Sequence, residues 1–300
     1  MIETRDLTKT FDNFTAVDSL NLKIEKGEFF GLLGPNGAGK TTTISLLSTL
    51  LLPTKGEILI DGQQLTRQRP DLKRKISVIT QEYSMRQDMN MDEIMEYQGR
   101  LYFMPRKQIK ERTEELLEFC DLLKFRKRTV RKLSGGMKRK LMVCRALLTD
   151  PEILLLDEPT AGMDALSRRQ MWNLLRKLNE KNLTILLTTH YMEEASDADY
   201  VVIIDEGKKV ASGTPLDLKN KYTGDFITLY NICEDDIKQM HLSYQKINDY
   251  YRILVSNTKE AVHLIHKYPD LFVDFEITKG KMDDVFLAAT GKVLTGGDCL

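Results

Sequence analysis

The chain has 300 residues, and its 44 basic side chains (Lys plus Arg) equal its 44 acidic ones (Asp plus Glu), so the formal net charge is zero. This length suffices to bury a sizeable core in one large domain, or in one domain with an appendage. Because neither charge predominates, the composition does not point to a nucleic-acid partner, and none is expected.

Four cysteines are scattered without the spacing of metal ligands, at positions 120, 144, 233 and 299. No apolar signal segment opens the sequence. Both features predict a reduced, cytoplasmic protein. The most apolar run, Ile44 to Leu52, is interrupted by Ser and Thr and is far shorter than the roughly 18 residues that cross a membrane. We therefore expect any work at a membrane to require a partner.

Three short strands are predicted at the beginning of the chain, over 2–9, 14–24 and 28–33. Phe11 lies in the first turn between them. An aromatic ring upstream of a phosphate-binding loop can stack on a nucleotide base, but a lone Phe also commonly packs in a core or at a sheet edge. Both interpretations of Phe11 stay open at this point.

The third strand runs directly into a glycine-rich loop and then a helix, in the stretch FFGLLGPNGAGKTTT over 29–43. The pattern G-x-x-x-x-G-K-[ST] is met by Gly34, Gly39, Lys40 and Thr41. Glycine lacks a Cβ, so such a loop can adopt positive φ and direct its N–H groups around an anion. The sequence therefore predicts a phosphate-binding loop.

Each of the other parts of this stretch has a chemical role in binding a nucleoside triphosphate. The helix adds its free N–H groups and the positive end of its dipole. Lys40 is expected to reach the terminal phosphates, and the Thr41 hydroxyl to be a ligand of Mg²⁺.

A helix over 41–52, ended by Pro53, is followed by strands over 56–62 and 75–80. Gln81 comes just after the second of these strands. Ligands meet open α/β sheets at the carboxyl ends of strands, although a polar residue there can equally be a solvated loop residue.

Residues 92–128 are charged and predicted to be helical. The stretch 85–104 contains five methionines, which suit either an adaptable docking groove or an irregular core. The basic run 126–132 is either a solvated face or a surface that attracts anionic lipid headgroups.

A second helix start with the features of an anion site follows the basic run. Ser134 is a favourable N-cap, and Gly135 and Gly136 let an anion approach the free N–H groups of a helix that ends near Leu148.

The strand over 153–156 is entirely apolar, as expected for a parallel strand covered on both faces, and Asp157 and Glu158 follow it. Adjacent side chains on an extended chain point to opposite sides, so the two carboxylates can have different roles. Asp157 is suited to hold Mg²⁺ through its water shell, and Glu158 to accept a proton from an attacking water or to orient it. The next buried strand, over 183–187, leads to His190.

With these motifs in this order, residues 1–222 closely resemble the nucleotide-binding subunit of an ABC transporter. In that family Phe11 resembles the base-stacking aromatic residue, and Gln81 the Q-loop glutamine. The Walker A loop resembles the run Gly34, Pro35, Asn36, Gly37, Ala38, Gly39, Lys40, Thr41 and Thr42. Leu133 to Met137, which include Ser134, Gly135 and Gly136, resemble the signature sequence. Asp157 resembles the Walker B aspartate, and Glu158 the catalytic glutamate. Asp164 resembles the D-loop aspartate, and His190 the switch histidine.

The resemblance implies an α/β fold of the P-loop NTPase (ABC ATPase) kind, with an antiparallel β subdomain and a helical subdomain over about 84–150. It implies a nucleotide-binding domain over 1–222, and residues 223–300 are expected to form a small C-terminal α/β domain with a loose tail from 291. Three positions depart from the common pattern, namely Phe11 for tyrosine, Met137 for glutamine and Ala165 for proline.

The cofactors implied are ATP and Mg²⁺, with Thr41, Gln81 and Asp157 as metal ligands and with Lys40, Gln81, Glu158 and His190 in catalysis. Two copies, or one copy and a paralogue, are expected to pair head to tail. The Ser134 helix start of one chain would then close on the γ-phosphate that Lys40 of the other holds.

Within the family, the sequences LSGGM, AGMD and THYMEEA and the segment 282–291 resemble ABC-2 type exporters of the daunorubicin-resistance kind. Such ATPases work with a separate multi-span membrane permease, which implies a peripheral position on the cytoplasmic face of the cell membrane. A soluble ABC ATPase that acts on ribosomes or nucleic acid is the alternative. The absence of coiled-coil heptads, of zinc-finger cysteines and of net positive charge argues against it.

Overall fold

The computed structural model describes residues 1–81, 85–238, 240 and 242–291. The chain forms two compact units. Unit 1 contains Met1–His190 and Ile204–Lys209, and unit 2 contains Tyr191–Ile203 and the residues from Val210 onward. In the part of the chain that the structure describes, no helix is both long enough and apolar enough to span a bilayer.

An antiparallel sheet forms the first layer of unit 1. Its strands are β1 (Ile2–Phe11), β2 (Phe14–Leu20), β3 (Lys23–Ile24), β5 (Lys55–Ile60) and β6 (Gln63–Gln64). Their order is β2-β1-β5-β6, with β3 also paired to β1. The single strand predicted over 14–24 is divided in two, because Asn21 and Leu22 lie between β2 and β3 and belong to neither strand. The predicted antiparallel subdomain is present.

A parallel sheet forms the centre of unit 1. Its strands are β4 (Phe29–Leu33), β7 (Ile76–Ile79), β8 (Ile153–Asp157) and β9 (Thr184–Thr189). Pairing runs β4-β9-β8-β7, and every pair is parallel. All residues of β4, β8 and β9 are buried, which explains their uninterrupted apolar sequences. The carboxyl ends of β4, β8 and β9 therefore meet at one edge of the sheet.

The helices of unit 1 are α1 (Lys40–Leu47), α2 (Pro70–Lys73), α3 (Met91–Leu101), α4 (Arg106–Phe119), α5 (Gly135–Leu147) and α6 (Ala165–Asn179). Short 3-10 turns cover Leu123–Phe125 and Val130–Lys132. Helix α1 is shorter than the predicted 41–52 because Thr49 takes a φ of 62°, which interrupts helical geometry.

Helices α3, α4 and α5 pack on one another and form the helical part of unit 1. Met85, Met91 and Met95 are buried in it, so these methionines fill a core instead of lining an open groove. In the basic run, Arg126 and Lys127 both pair with Asp92, through contacts of 2.9 Å.

The first part of unit 2 contains α7 (Met192–Ala195), β10 (Tyr200–Asp205), β11 (Lys208–Gly213) and α8 (Pro215–Tyr222). The two strands are divided between the units, because the turn Ile204–Lys209 belongs to unit 1. Helix α8 packs against the last helix, α11 (Met282–Thr290).

The rest of unit 2 has the order β12 (Asp225–Tyr230), α9 (Glu234–Lys238), β13 (Tyr244–Ile247), β14 (Tyr250–Val255), α10 (Thr258–Lys267) and β15 (Phe275–Lys279). The sheet is antiparallel with strand order β13-β14-β12-β15. This β-α-β-β-α-β order is that of a ferredoxin-like sheet. Strand β13 was not predicted, since only four residues form it. The predicted loose tail lies, after Gly291, outside the described residues.

Candidate functional site

The glycine-rich loop between β4 and α1 is shaped by close backbone approaches. A Cβ at Gly34 would lie 2.4 Å from the carbonyl oxygen of Ile204, and one at Gly39 would lie 2.3 Å from that of Ala16. Gly39 has a φ of 99° and Gly37 one of 83°, but the space beside Gly37 is open. Glycine is therefore required sterically at 34 and 39, and conformationally at 37 and 39.

Helix α1 begins at the end of this loop with its N–H groups available. Its N-cap, Gly39, provides no side-chain cap, and no acidic residue lies in the first turn. The Thr41 side chain is exposed there, whereas Lys40 is buried. An uncapped N-terminus with a positive dipole end suits a phosphate group.

The Lys40 ammonium is held by three oxygen atoms. Its Nζ donates to the carbonyl oxygens of Gly34 at 2.9 Å and Pro35 at 3.0 Å, and lies 3.2 Å from Oε1 of Glu158. An ammonium has three donors, so a phosphate oxygen that bonds to Lys40 takes the place of one of these partners.

Glu158 is the centre of the cluster. Besides Lys40, its carboxylate meets His190, whose Nδ1 lies 3.2 Å from Oε2, and Gln81, whose Nε2 donates to Oε2 at 3.5 Å. The fold thus brings together all four side chains to which the sequence assigned catalytic roles, from four different segments.

The surroundings keep the Glu158 carboxylate ionised. Burial raises its pKa, but hydrogen bonds from His190 and Lys40, together with the charge of Lys40, outweigh burial and leave the pKa below its ordinary value of 4.5. An ionised carboxylate can accept a proton from water or orient it.

Thr188 holds both carboxylate residues, although it was not predicted to be part of the site. Its hydroxyl donates to Asp157 Oδ1 at 2.7 Å and accepts from the backbone N–H of Glu158 at 3.0 Å. Glu158 has a φ of 45°, which is strained for a residue with a side chain. The signal for Thr188 was a hydroxyl near the end of a buried strand, two residues before His190.

Arg139 is a second residue that the sequence interpretation missed. This buried arginine of α5 donates to the carbonyl oxygens of Thr80 at 3.0 Å and Gln81 at 2.6 Å. It therefore fixes the backbone that carries Gln81. A cation on the otherwise apolar face of α5, beside Met142 and Val143, was the available signal.

Ser134 and Asp164 are N-caps of two helices. The Ser134 hydroxyl accepts from the N–H of Met137 at 3.3 Å, and Asp164 accepts from Ser167 N–H at 2.8 Å and Oγ at 2.7 Å. Hydrogen bonds from Ser167 hold the pKa of Asp164 below its usual range. The bonds of these two caps stay within their own helix starts and do not reach Lys40. Ser134 and Gly135 are exposed at this surface.

Phe11 lies at the tip of the first hairpin, where it pairs with Phe14. Phe11 is 41% exposed, and Lys9 Nζ lies 5.0 Å from its ring centroid. The ring is therefore not a core residue, and its assignment to a nucleotide base stays a prediction.

The donor set at the edge of the sheet fits Mg²⁺. The Thr41 hydroxyl, the Gln81 amide and the Asp157 carboxylate offer oxygen ligands, which this hard cation prefers. No group of three His, Cys, Asp or Glu side chains in the described ranges forms a metal cluster. A small number of protein ligands is typical of Mg²⁺, because this ion commonly keeps several of its waters and is also bound by the phosphates of the substrate.

A parallel sheet that carries a glycine-rich loop, a buried lysine and a carboxylate cluster at its carboxyl edge defines a P-loop NTPase. The family model described as "ABC transporter" matches residues 17–161. The Nod factor export ATP-binding protein I of Cupriavidus metallidurans is 39% identical over 232 residues, which are 77% of each chain.

Two further relatives match this chain over a similar length and at a similar identity. The linearmycin resistance ATP-binding protein of Bacillus subtilis is 37% identical and matches 76% of this chain and 73% of its own length. The daunorubicin/doxorubicin resistance ATP-binding protein of Streptomyces peucetius is 38% identical, over 76% of this chain and 69% of its own length.

Solved structures agree with these relatives. An ATP-binding subunit of an ABC transporter superposes with a TM-score of 0.66 at 27% identity, covering 74% of this chain and 93% of that one. A dimeric ATP-binding cassette in a post-hydrolysis state, bound to ADP and Pi, has a TM-score of 0.64 at 27% identity and covers 71% and 98%.

The chain belongs to the ABC transporter family, and it is an ATP-binding and ATP-hydrolysing subunit of that family. The resemblance to ABC-2 type ATPases of the daunorubicin-resistance kind and the predicted fold class are both confirmed.

Proposed function

We propose that the chain powers an ABC-2 type exporter by binding ATP between two ATPase subunits and hydrolysing it. The observation that carries this proposal is the convergence of Lys40, Gln81 and His190 on the Glu158 carboxylate, at the end of a phosphate-binding loop. The relatives named for Nod factor export and for drug resistance support export as the direction.

In this proposal, the loop from Gly34 to Thr42 and the start of α1 bind the β- and γ-phosphates, and Phe11 stacks on the base. Lys40 neutralises charge on the γ-phosphate. Glu158 orients the attacking water and accepts its proton, while His190 and Gln81 fix the carboxylate in place.

Mg²⁺ would be held by Thr41, Gln81 and Asp157 and by the phosphates. When bound, the ion supplies charge neutralisation between the β- and γ-phosphates. The bond from Thr188 to Asp157 Oδ1 orients the carboxylate for this purpose.

The second half of the site comes from another subunit, identical or paralogous. Ser134, Gly135 and Asp164 lie exposed at two helix starts and Gly136 is half-buried there; the hydrogen bonds of the Ser134 and Asp164 side chains stay within these helix starts. We propose that in a head-to-tail dimer they close on the γ-phosphate held by the opposite chain. The match to a dimeric cassette supports this arrangement.

A separate multi-span permease is the proposed membrane partner, which places the chain peripherally on the cytoplasmic face of the membrane. A cavity of about 450 Å³ in unit 1 is the proposed docking site; its lining includes Leu50, Gln98, Tyr102 and Arg145. Leu50 and Tyr102 are exposed apolar side chains of the kind that anchor interfaces.

The proposed domain organisation follows the same division as the resemblance. Residues 1–222 would form the nucleotide-binding domain, and residues 223–300 an accessory domain.

Glu158→Gln tests the catalytic assignment, because the amide keeps the shape of the side chain but cannot accept the proton. ATP binding should persist while hydrolysis falls by at least about a hundredfold. Glu180→Gln, at the exposed end of α6, is the control. Hydrolysis by Glu158→Gln at the parent rate would contradict the role of Glu158.

Purification of the chain from detergent-solubilised membranes tests the transport role. Capture of a multi-span membrane protein is expected, and capture of ribosomes or RNA instead would contradict the transport role.

A further inference from the structure

The two faces of the C-terminal sheet differ in what they present. Ile227 and Leu229 of β12 and Ile253 of β14 are fully buried in a core that also contains Ala261 and Leu264 of α10. Because successive side chains of a strand point to opposite faces, the residues between them face away from α9 and α10.

This second face, which we call the open face, carries aromatic and apolar side chains. The Arg252 guanidinium lies 3.7 Å from the centroid of the Phe226 ring, and the rings of Tyr230 and Tyr250 are 5.6 Å apart. Leu254 is 58% exposed. Aromatic residues and Arg are enriched at protein interfaces relative to the rest of the surface.

One row of the open face contains two opposite charges on either side of a threonine. Thr228 of β12 pairs with Arg252 on β14 and with Glu276 on β15. Because neighbouring strands are about 4.8 Å apart, the arginine and the glutamate stand about 10 Å apart across Thr228. The exposed Glu276 side chain also accepts a hydrogen bond from the Tyr230 hydroxyl at 3.4 Å.

This spacing makes the open face complementary to itself in one orientation. A two-fold axis that runs along β12, above Thr228, places each Arg252 opposite the Glu276 of a second copy. A two-fold axis perpendicular to the strands would instead place Arg252 against Arg252, which is repulsive. We propose that the open face is a contact between two copies of this chain, related by a two-fold axis along β12.

The face is small, so the contact is weak on its own. Four strands of about five residues cover roughly 15 Å by 17 Å, well below the roughly 800 Å² that each partner buries in a standard interface. Such a contact acts by keeping two copies close when nucleotide leaves, so that the next ATP-driven closure is nearly intramolecular.

The test is sedimentation of the full-length, nucleotide-free chain in EDTA, from about 1 to about 300 µM. We expect reversible dimerisation in this range. Arg252→Glu should weaken it at least about tenfold, because like charges then face each other. The double variant Arg252→Glu/Glu276→Arg should restore affinity to within about threefold. Lys259→Glu makes the same charge change on the exposed side of α10 and should have no effect.

A second measurement does not depend on the charge variants. In a chain with Cys233 and Cys299 replaced by serine, Tyr230→Cys should form a covalent dimer with a short bismaleimide. The two copies of position 230 should lie close together, because this position is on the proposed two-fold axis. Lys259→Cys in the same background should not form the covalent dimer. A monomer at all concentrations, equal effects of Arg252→Glu and Lys259→Glu, or additive weakening in the double variant would each overturn the proposal. None of these outcomes affects ATP hydrolysis, so the proposed function is tested separately.

Discussion

The ammonium of Lys40 and the carboxylate of Glu158 form a buried ion pair, with Nζ 3.2 Å from Oε1 and side-chain exposures of 4% and 11%. In the proposed mechanism, this contact links phosphate binding to catalysis. If a γ-phosphate oxygen takes the place of Glu158 at Lys40, instead of that of a carbonyl oxygen, the carboxylate keeps its contact with His190 at 3.2 Å and becomes available to orient a water molecule.

The first prediction follows from that competition. Glu158→Gln removes a negative charge that competes with phosphate for Lys40, so the affinity for ATP should rise by about three- to tenfold. Lys40→Ala should lower it by more than about tenfold. Titration with a fluorescent ATP analogue measures both, and Lys107→Ala, on the exposed side of α4, is the control. An unchanged affinity in Glu158→Gln would mean that the ion pair does not oppose binding.

The second prediction concerns pH. Because the pKa of Glu158 in the folded chain lies below its ordinary value of 4.5, the ionised carboxylate stabilises the fold above about pH 4.5. This contribution is lost as pH falls through the folded pKa. Urea denaturation should therefore show a difference between the parent chain and Glu158→Gln that shrinks as pH falls below about pH 4.5. A difference that keeps its size down to about pH 3 would contradict the lowered pKa.

The third prediction compares two glycines of the loop. In Gly37→Ala the new Cβ would have no atom within 4 Å, and the only unfavourable feature is the positive φ of 83°. The substitution should therefore lower the free energy of unfolding by about 1 kcal/mol. Gly39→Ala combines a φ of 99° with a contact of 2.3 Å to Ala16 O, and should cost more than about 2 kcal/mol. Equal costs in urea denaturation would show that the loop does not press on Ala16.

The fourth prediction treats Arg139 as a positioning residue that acts through Gln81. Arg139→Lys cannot bond to both carbonyl oxygens at once, so Gln81 should shift relative to Glu158. We expect kcat to fall about tenfold or more while KM for ATP changes less than about threefold. Lys138→Arg, one residue earlier in α5, is the control. A rise in KM for ATP together with a lower melting temperature would indicate that Arg139 only stabilises α5.

Much of unit 1 could be predicted from the sequence because its signals are local. The apolar runs of β8 and β9 and the loop before Lys40 each specify their structure over a few residues. Asp157, Glu158 and His190 could be placed at one edge because parallel strands align their carboxyl ends.

The rest depends on contacts between distant segments. Arg139 and Gln81 are 58 residues apart, and Thr188 and Asp157 are 31 apart, so no local pattern joins them. Helix α1 was predicted to be too long because the left-handed turn at Thr49 has no sequence signal as strong as Gly or Pro. Strand β13 is too short to give a period.

The ATP-driven dimer is the central claim, and sedimentation velocity at about 1 µM tests it most directly, since a weak C-terminal contact is dissociated at that concentration. Glu158→Gln should be a dimer with Mg²⁺ and ATP and a monomer with ADP. Adding Ser134→Arg should leave ATP binding within about threefold but abolish the dimer. A Glu158→Gln chain that stays monomeric with ATP, or a Ser134→Arg variant that still dimerises fully, would contradict the account.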